Sequence, residues 1–482
     1  MGFPDRVRAG HAQLAVELLE DRTTPSQLDG LASLPLPELV STGAAASDRV
    51  NVVMRAETSS AADASALAAT PFAASVKSLG FGIYSVSLAP GTDIGAALAY
   101  YNGLSGVQSA APDEIVRLQL NPNDPSFGSL YGMQKIGAPT AWNTSTGTSS
   151  FVVAVIDSGV DYNHPDLAAN MWRNPSEVAG DGIDNDGNGL VDDYFGADFA
   201  NNDGNPMDDN NHGTHVAGTI GAVGNNGVGV VGVNWNVKIM ALKFLSASGS
   251  GAISGAISCL DYAVSHGAKL SNNSWGGGGY SSTMAAAIGR AQSAGHIFVA
   301  AAGNNGQNND VTAFYPASYI QSYNNVVTVA ATDSNDALAS FSNYGASSVT
   351  LAAPGVGILS TTPNNTYSSF SGTSMASPHV TGAIALYWGA NPTLSYTQVI
   401  DKLKTSVDVL SNLSGVVATG GRLNVAKMFT SGPAPTLGPK VVTAVYSGAV
   451  TTQFDKVRVT FDKDIDASSF TIDDIVSFNG PN

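Results

Sequence analysis

The sequence predicts an α/β fold, with a mostly parallel sheet that carries helices on both faces. Between residues 122 and 431, short apolar runs alternate with longer runs of helical character, which is the order that βαβ units produce. Asp157 directly follows one of the apolar runs, and functional sites in parallel sheets lie beyond the carboxyl ends of the strands. A small α+β unit is predicted before this region, and an incomplete β-sandwich-like segment after it.

The individual elements follow from the spacing of apolar residues. The predicted strands are residues 151–156, 238–243, 268–272, 297–301 and 326–330. The predicted helices are residues 212–222, 252–266, 283–294 and 374–388.

Composition divides the rest of the chain into three further regions. Residues 1–48 are rich in Ala, Ser, Leu and Pro without periodicity, so we expect a disordered leader or linker. Residues 49–121 contain an alternating strand at 81–88 and a helix that Asp93 can cap, as an α+β unit requires. Residues 432–482 begin with a linker and hold two strand-like runs, which resemble the start of an immunoglobulin-like domain.

Charge and composition exclude some classes of function. The chain of 482 residues carries 38 acidic and 21 basic residues, a net charge of −17, and nucleic acid phosphates would repel it. Its one cysteine, Cys259, permits no intrachain disulfide. No run approaches the roughly 18 apolar residues of a membrane helix. The acidity suits a secreted or cell-surface protein whose carboxylates bind divalent cations.

Three distant motifs supply a carboxylate, an imidazole and a hydroxyl, in the order Asp157, His212 and Ser374. The motifs are residues 155–159, 212–218 and 372–378. A serine hydroxyl becomes nucleophilic when an imidazole accepts its proton and a carboxylate orients that imidazole. We therefore predict that Ser374 attacks a peptide carbonyl, with His212 as base and Asp157 holding its tautomer.

The flanks of these motifs support the same chemistry. Ser374 precedes Pro378 and is predicted to lie near a helix start, where proline is tolerated and backbone N–H groups attract negative charge. Asn304 follows a buried strand and supplies a candidate amide donor for the oxyanion. His215 shares a helix face with His212, but without a His-Glu-x-x-His pattern we predict a structural role for it.

Over roughly residues 122–430 the chain resembles the subtilisin-like serine proteases, in which the triad has the same chain order. The resemblance implies an endopeptidase made as a zymogen, with residues 49–121 as an inhibitory propeptide that the enzyme cleaves from itself. It also implies polypeptide substrates, and we expect a monomer.

The same resemblance implies that substrate binds as an added β-strand between two edge segments. The matching positions are Ser274, Trp275 and Gly276 on one side and Gly249, Ser250 and Gly251 on the other. Beside Trp275, Ala302 and Gly303 leave room for an apolar side chain, so we expect a preference for bulky hydrophobic residues.

An acidic, glycine-rich insertion between Asp157 and His212 predicts a structural Ca²⁺ site. Its alternating oxygens resemble the first half of an EF-hand loop, although Phe195 stands where the closing Glu would be. The candidate ligands are Asp181, Asp184, Asp186, Asn188, Leu190 through its carbonyl, Asp192 and Asp193. Asp208 and Asp209 are candidates for a second site. A solvated acidic loop without an ion is the alternative.

Two other functions fit parts of the sequence. A surface adhesion or scaffold protein with a catalytically silent protease fold would account for the β-type tail and the acidic surface, but no triad position is substituted. An acid-acting carboxyl-type serine peptidase would need Glu at His212 and an acidic residue at Asn304, and neither is present.

Overall fold

The structure is a computed structural model that describes residues 45–55, 60–114, 120–430, 441–447 and 456–461. The predicted leader up to residue 44 and most of the predicted C-terminal segment lie outside these residues. Among the described residues, no helix combines the length and apolar character needed to cross a bilayer.

The N-terminal unit is an antiparallel sheet with two helices, as the fold prediction requires. Its strand order is β2-β3-β1-β4, and β1 pairs with both β3 and β4. The Asp93 side chain accepts a hydrogen bond from the backbone N–H of Ala96 and so caps the second helix. In chain order the elements are β1 (Ala45–Met54), α1 (Ala61–Ala68), β2 (Ala73–Gly80), β3 (Ile83–Leu88), α2 (Ile94–Asn102) and β4 (Val107–Glu114).

The main region is built on a nine-stranded sheet with the order β14-β15-β11-β10-β9-β8-β5-β7-β6. The central pairs are parallel, and only the short edge strand β14 pairs in antiparallel fashion. Its strands are β5 (Val152–Asp157), β6 (Gly196–Asp198), β7 (Lys238–Lys243), β8 (Leu270–Asn273), β9 (Ile297–Ala301), β10 (Val326–Thr332), β11 (Leu351–Pro354), β14 (Asp408–Val409) and β15 (Gly421–Arg422). A separate hairpin consists of β12 (Ile358–Thr362) and β13 (Thr366–Phe370).

Eight helices are described in this region, and they include each of the four that the sequence predicts. They are α3 (Tyr131–Lys135), α4 (Ala138–Trp142), α5 (His212–Gly221), α6 (Ile253–Ser265), α7 (Ser282–Ser293), α8 (Thr373–Ala390), α9 (Tyr396–Thr405) and α10 (Val425–Phe429).

Helices cover both faces of the sheet because alternate residues of each strand face opposite ways. Val155 of β5 belongs to a buried cluster with Ile384 of α8, whereas Ile156 belongs to a second cluster with Leu260 of α6. Each such fully buried aliphatic side chain stabilises the fold by about 1.5–3 kcal/mol. The predicted α/β architecture is therefore confirmed, with its two cores on either side of β5.

Two features differ from the sequence prediction. The hairpin strands β12 and β13 were not predicted, and neither were the strands β6, β11, β14 and β15, whose two to four residues show little of a period. Pro378 is the sixth residue of α8 and not part of its first turn. The two C-terminal strands, β16 (Val441–Ser447) and β17 (Lys456–Phe461), form an antiparallel pair close to the predicted positions.

Candidate active site

The three predicted triad residues lie at element ends on one edge of the main sheet. Asp157 is the last residue of β5, His212 is the first of α5, and Ser374 is the second of α8. The strand β8, which ends at Asn273, is hydrogen-bonded to β5. This is the carboxyl edge of the parallel strands, where the fold prediction placed the site.

The structure joins Asp157 and His212 directly. Asp157 is fully buried, and its Oδ1 lies 2.8 Å from Nδ1 of His212. The same oxygen accepts the backbone N–H of Ser158 at 2.7 Å. Because Asp157 accepts at Nδ1, the neutral imidazole carries its proton there and keeps Nε2 free to act as a base.

Opposing effects set the pKa of His212. Burial disfavours the protonated ring and lowers the pKa. The charge and the hydrogen bond of Asp157, with a smaller contribution from Asp208, raise it, and together they outweigh burial. The pKa of His212 therefore lies above its usual value of 6.5.

Close packing of the backbone fixes the position of the first turn of α5, which begins with His212. Any side chain at Gly213 would collide with the carbonyl oxygen of Gly159, so glycine is required beside the histidine. Ser158 Oγ accepts the N–H of Gly213 at 2.9 Å and donates to Asp208 at 2.9 Å. Asp208 also accepts the N–H of Thr214 at 2.9 Å, in the first turn of α5.

Ser374 is held by a pair of hydrogen bonds to Ser274, the residue that follows β8. Its hydroxyl donates to the Ser274 carbonyl at 3.0 Å, and its own carbonyl accepts the Ser274 hydroxyl at 2.9 Å. Pro378 explains the second bond: it lacks the N–H that would otherwise bond the carbonyl four residues earlier, and that carbonyl belongs to Ser374. The proline inside α8 thus frees a backbone acceptor beside the predicted nucleophile.

Asn304 is oriented by Thr373, the neighbour of Ser374. Its side-chain oxygen accepts the backbone N–H of Thr373 at 2.8 Å and the Thr373 hydroxyl at 2.9 Å. With the oxygen engaged, the amide NH₂ is the end of this exposed side chain that remains to donate. The backbone N–H of Ser374 belongs to the first helical turn, whose N–H groups have no partner within the helix.

The predicted substrate segments meet around Phe244. The Trp275 ring stands edge-on to it, with 5.0 Å between ring centroids, and any side chain at Gly251 would collide with the Phe244 carbonyl. The second segment is a tight turn, in which the Ser250 carbonyl accepts the N–H of Ser246 at 2.9 Å and Gly249 has a φ of +76°.

Phe314 lies against the predicted specificity pocket and was not predicted from any sequence motif. A Cβ on Gly276 would collide with its ring, and a Cβ on Gly303 would come within 3.0 Å of it. Ala302, beside Gly303, is fully buried. The Phe314 ring therefore occupies the space between the segment that contains Gly276 and the segment that contains Gly303.

The acidic loop brings together only some of its predicted ligands. Carboxylate oxygens of Asp184 and Asp186 lie within 4.8 Å of each other and of one from Glu177. Glu177 is almost buried, and its Oε2 has no hydrogen-bond partner among the described residues. Glu177 was not predicted, because it lies seven positions before Asp184, where the alternating acidic pattern begins. Its acidic side chain was the one feature of the sequence that could have indicated it.

The other predicted carboxylate ligands, like Asp184, accept hydrogen bonds from the protein's own donors. Asp192 accepts backbone N–H groups of residues 180–182, and Asp181 accepts the N–H of Ile183. Asp193 is buried and accepts the Tyr262 hydroxyl at 2.7 Å and the Asn188 amide at 2.8 Å.

Leu190 and the two aspartates before His212 are also placed by protein contacts. The Leu190 side chain packs in the core, and its backbone N–H donates to Asn188. Asp208 caps α5, and Asp209 pairs with Lys243 at 2.6 Å.

Four further histidines, His164, His215, His296 and His379, are buried and hydrogen-bonded to backbone carbonyls. Burial lowers the pKa values of His215, His296 and His379 to about 4 each. His215 Nε2 lies 2.9 Å from the Ile358 carbonyl, and its ring stacks on Phe370, which ties α5 to the β12–β13 hairpin. These contacts agree with the structural role predicted for His215.

Comparison with known proteins adds independent information. The model of the subtilase family matches residues 148–432. The chain is 42% identical over 292 residues to subtilisin-like protease 1 of Plasmodium falciparum, a match covering 57% of this chain and 42% of that protein. It is 40% identical over 307 residues to thermitase of Thermoactinomyces vulgaris, covering 64% of this chain and 98% of thermitase. With the thermophilic serine proteinase of Bacillus sp. (strain AK1) it shares 39% identity over 319 residues, 66% of this chain and 71% of that one.

Fold, site and comparisons together show that the chain belongs to the subtilase family. It spans half or less of the length of the Plasmodium relatives that it matches.

Proposed function

We propose that this chain is a secreted, calcium-stabilised serine endopeptidase that acts as a monomer and is made as a self-processing zymogen. The observation that carries the proposal is the 2.8 Å contact between the buried Asp157 and His212, at the same sheet edge as Ser374. Family membership supports the same chemistry.

Hydrolysis begins when the Ser374 hydroxyl exchanges its bond to the Ser274 carbonyl for one to Nε2 of His212, by rotation about a side-chain torsion. His212 takes the hydroxyl proton as Oγ attacks the peptide carbonyl, and Asp157 stabilises the resulting imidazolium. The amide of Asn304 and the backbone N–H of Ser374 donate to the oxyanion. His212 then protonates the leaving amine, and water hydrolyses the acyl-enzyme by the same steps in reverse.

The acidic cluster fits a calcium ion. Calcium prefers carboxylate oxygens, and a buried carboxylate oxygen without a partner is costly unless a cation or donor meets it. Glu177, Asp184 and Asp186 would supply such oxygens, with Glu177 Oε2 the one that lacks a partner among described residues. A bound ion would offset the negative charge that these carboxylates gather in one loop.

The N-terminal α+β unit is proposed to be the propeptide, with cleavage between residues 112 and 124. In that case the catalytic region is its own first substrate. Replacing Ser374 with Ala tests both activities: purified Ser374→Ala protein should stay full-length by N-terminal sequencing and should leave casein intact, whereas the parent chain should be shortened and should cleave casein. Cleavage of casein by the mutant at the parent rate would contradict the proposal, as would a parent chain that is folded and inert, the result that the silent scaffold predicts.

Phe314 suggests a preference for small side chains at the cleaved bond, in contrast to the bulky residues expected from the sequence. Its ring fills the space between Gly276 and Gly303, so a large substrate side chain would clash with it. We expect Phe314→Ala to raise kcat/KM for a peptide with Phe before the scissile bond by roughly 10-fold relative to the matched Ala peptide. An unchanged ratio between the two peptides would refute this preference while leaving the endopeptidase proposal in place.

A further inference from the structure

Lys243 is a buried, positively charged residue at the end of β7, the strand that pairs with the one carrying Asp157. In the parallel register of β5 and β7, it is the residue paired with Asp157. Only 1% of its side chain is exposed. A buried ammonium group is costly unless all its N–H groups find acceptors.

All three N–H groups of Lys243 have an acceptor within reach. Nζ lies 2.8 Å from the Ser158 carbonyl, 2.8 Å from the Leu245 carbonyl and 2.6 Å from the Asp209 carboxylate. Hydrogen bonds from a charged donor are stronger and shorter than neutral ones. Lys243 therefore joins its own segment to two distant ones, at Ser158 and Asp209.

Two of those segments carry the acid and the base of the triad. Ser158 follows Asp157 directly, and Asp209 lies three residues before His212. The Asp157 carboxylate has few restraints of its own: Oδ1 is bonded to Ser158 N–H and to His212, while Oδ2 has no partner among the described residues. The position of its carboxylate thus depends on where the segment at residue 158 is held.

We propose that Lys243 is a positioning residue for catalysis, which holds the segment after Asp157 in register with the segment leading to His212. The inference rests on the proposed endopeptidase function. Lys243 does not touch the reacting atoms; it acts through Asp157. A misplacement of about 1 Å in a catalytic group can cost roughly 10²-fold in rate.

The test compares Lys243→Met with Lys238→Met. Lys238 lies on the same strand and also donates to a loop carbonyl, that of Ala169, but at the end far from the site. With a fluorogenic peptide, Lys243→Met should lower kcat roughly 10–100-fold with little change in KM, whereas Lys238→Met should retain the parent kcat. A Lys243→Met enzyme with the parent kcat would overturn the proposal.

A double-mutant cycle separates positioning from a general structural role. If Lys243 acts through Asp157, its replacement should have little further effect on kcat in an Asp157→Asn background. An equal loss in both backgrounds would show that it acts elsewhere. Should Lys243→Met fail to fold, Asp209→Ala removes the charged partner from a half-exposed position and should give a smaller loss with the same dependence on Asp157.

A readout without turnover distinguishes failure of this inference from failure of the proposed function. The proton between His212 Nδ1 and Asp157 Oδ1 should give a downfield NMR resonance in the Ser374→Ala protein. We expect it to stay sharp in Lys238→Met and to broaden or disappear in Lys243→Met, whether or not the parent chain cleaves peptides. An unaltered resonance in Lys243→Met would contradict the positioning role.

Discussion

Carboxylates at the sheet edge and in the acidic loop differ in how far along the chain their hydrogen-bond donors lie. At the edge, the buried Asp157 and Asp208 each accept a hydrogen bond from a distant residue, Asp157 from His212 and Asp208 from Ser158 Oγ, in addition to N–H groups of near neighbours. In the loop, Asp184 accepts the N–H groups of residues 187–189, close in sequence. The first arrangement is fixed by the packed sheet, and the second depends on a short segment that we propose a cation completes.

We therefore predict that a substitution at the sheet edge removes activity and leaves the fold intact. A change in the acidic loop should instead first lower the stability of the folded protein. The strands that carry the edge are buried on both faces and do not need the triad to form. The loop has no such support around Glu177, whose Oε2 lacks a partner among the described residues.

The largest effect is expected from Asp157→Asn. Asparagine keeps the shape but can donate to Nδ1, which favours the wrong imidazole tautomer, so kcat should fall about 10⁴-fold. Peptide hydrolysis and thermal melting should be measured together, with Asp261→Asn as control because Asp261 forms an exposed ion pair with Arg290. A decrease in kcat of less than tenfold would contradict the proposed difference between the sheet edge and the acidic loop.

The pH dependence of activity tests the role proposed for His212 at the sheet edge. His212 acts as a base only when neutral, so kcat/KM should increase with pH, about tenfold per unit below a midpoint that lies above 6.5, since the pKa of His212 is raised. The same raised pKa means that the pairing of protonated His212 with Asp157 stabilises the fold below pH 6.5 and is lost as pH rises through the midpoint. A midpoint below 6.5 would contradict the dominance of Asp157 over burial.

Removal of calcium should have the smaller effect, on stability. Ligand binding to the native state contributes roughly 3 kcal/mol at 100 times the dissociation constant, so EGTA should lower the melting temperature by roughly 5 °C and speed autolysis. Glu177→Gln should weaken this response, whereas Asp181→Asn, in the same loop but bonded to Ile183, should retain it. If the melting curve does not respond to EGTA, the loop is a solvated acidic turn.

Sequence predicted the sheet edge better than the loop, for physical reasons. Asp157, His212 and Ser374 lie in three motifs at the ends of one apolar strand and two helices that the residue pattern predicts, so motif and pattern together place them. Glu177 and Phe314 reach their sites through irregular backbone, where no period exists to read. In the sequence, Lys243 is simply the last residue of a predicted apolar strand. Its contact with the Ser158 carbonyl depends on the order of strands in the sheet, which the sequence alone does not provide.

The central claim is that Ser374 is the nucleophile activated by His212 and Asp157. Labelling of the purified enzyme with a serine-directed phosphonate, followed by peptide mapping, tests it most directly. The account predicts one adduct per chain, on the peptide that contains residues 372–378, and none in Ser374→Ala. An adduct on another residue, or undiminished labelling of Ser374→Ala, would contradict it.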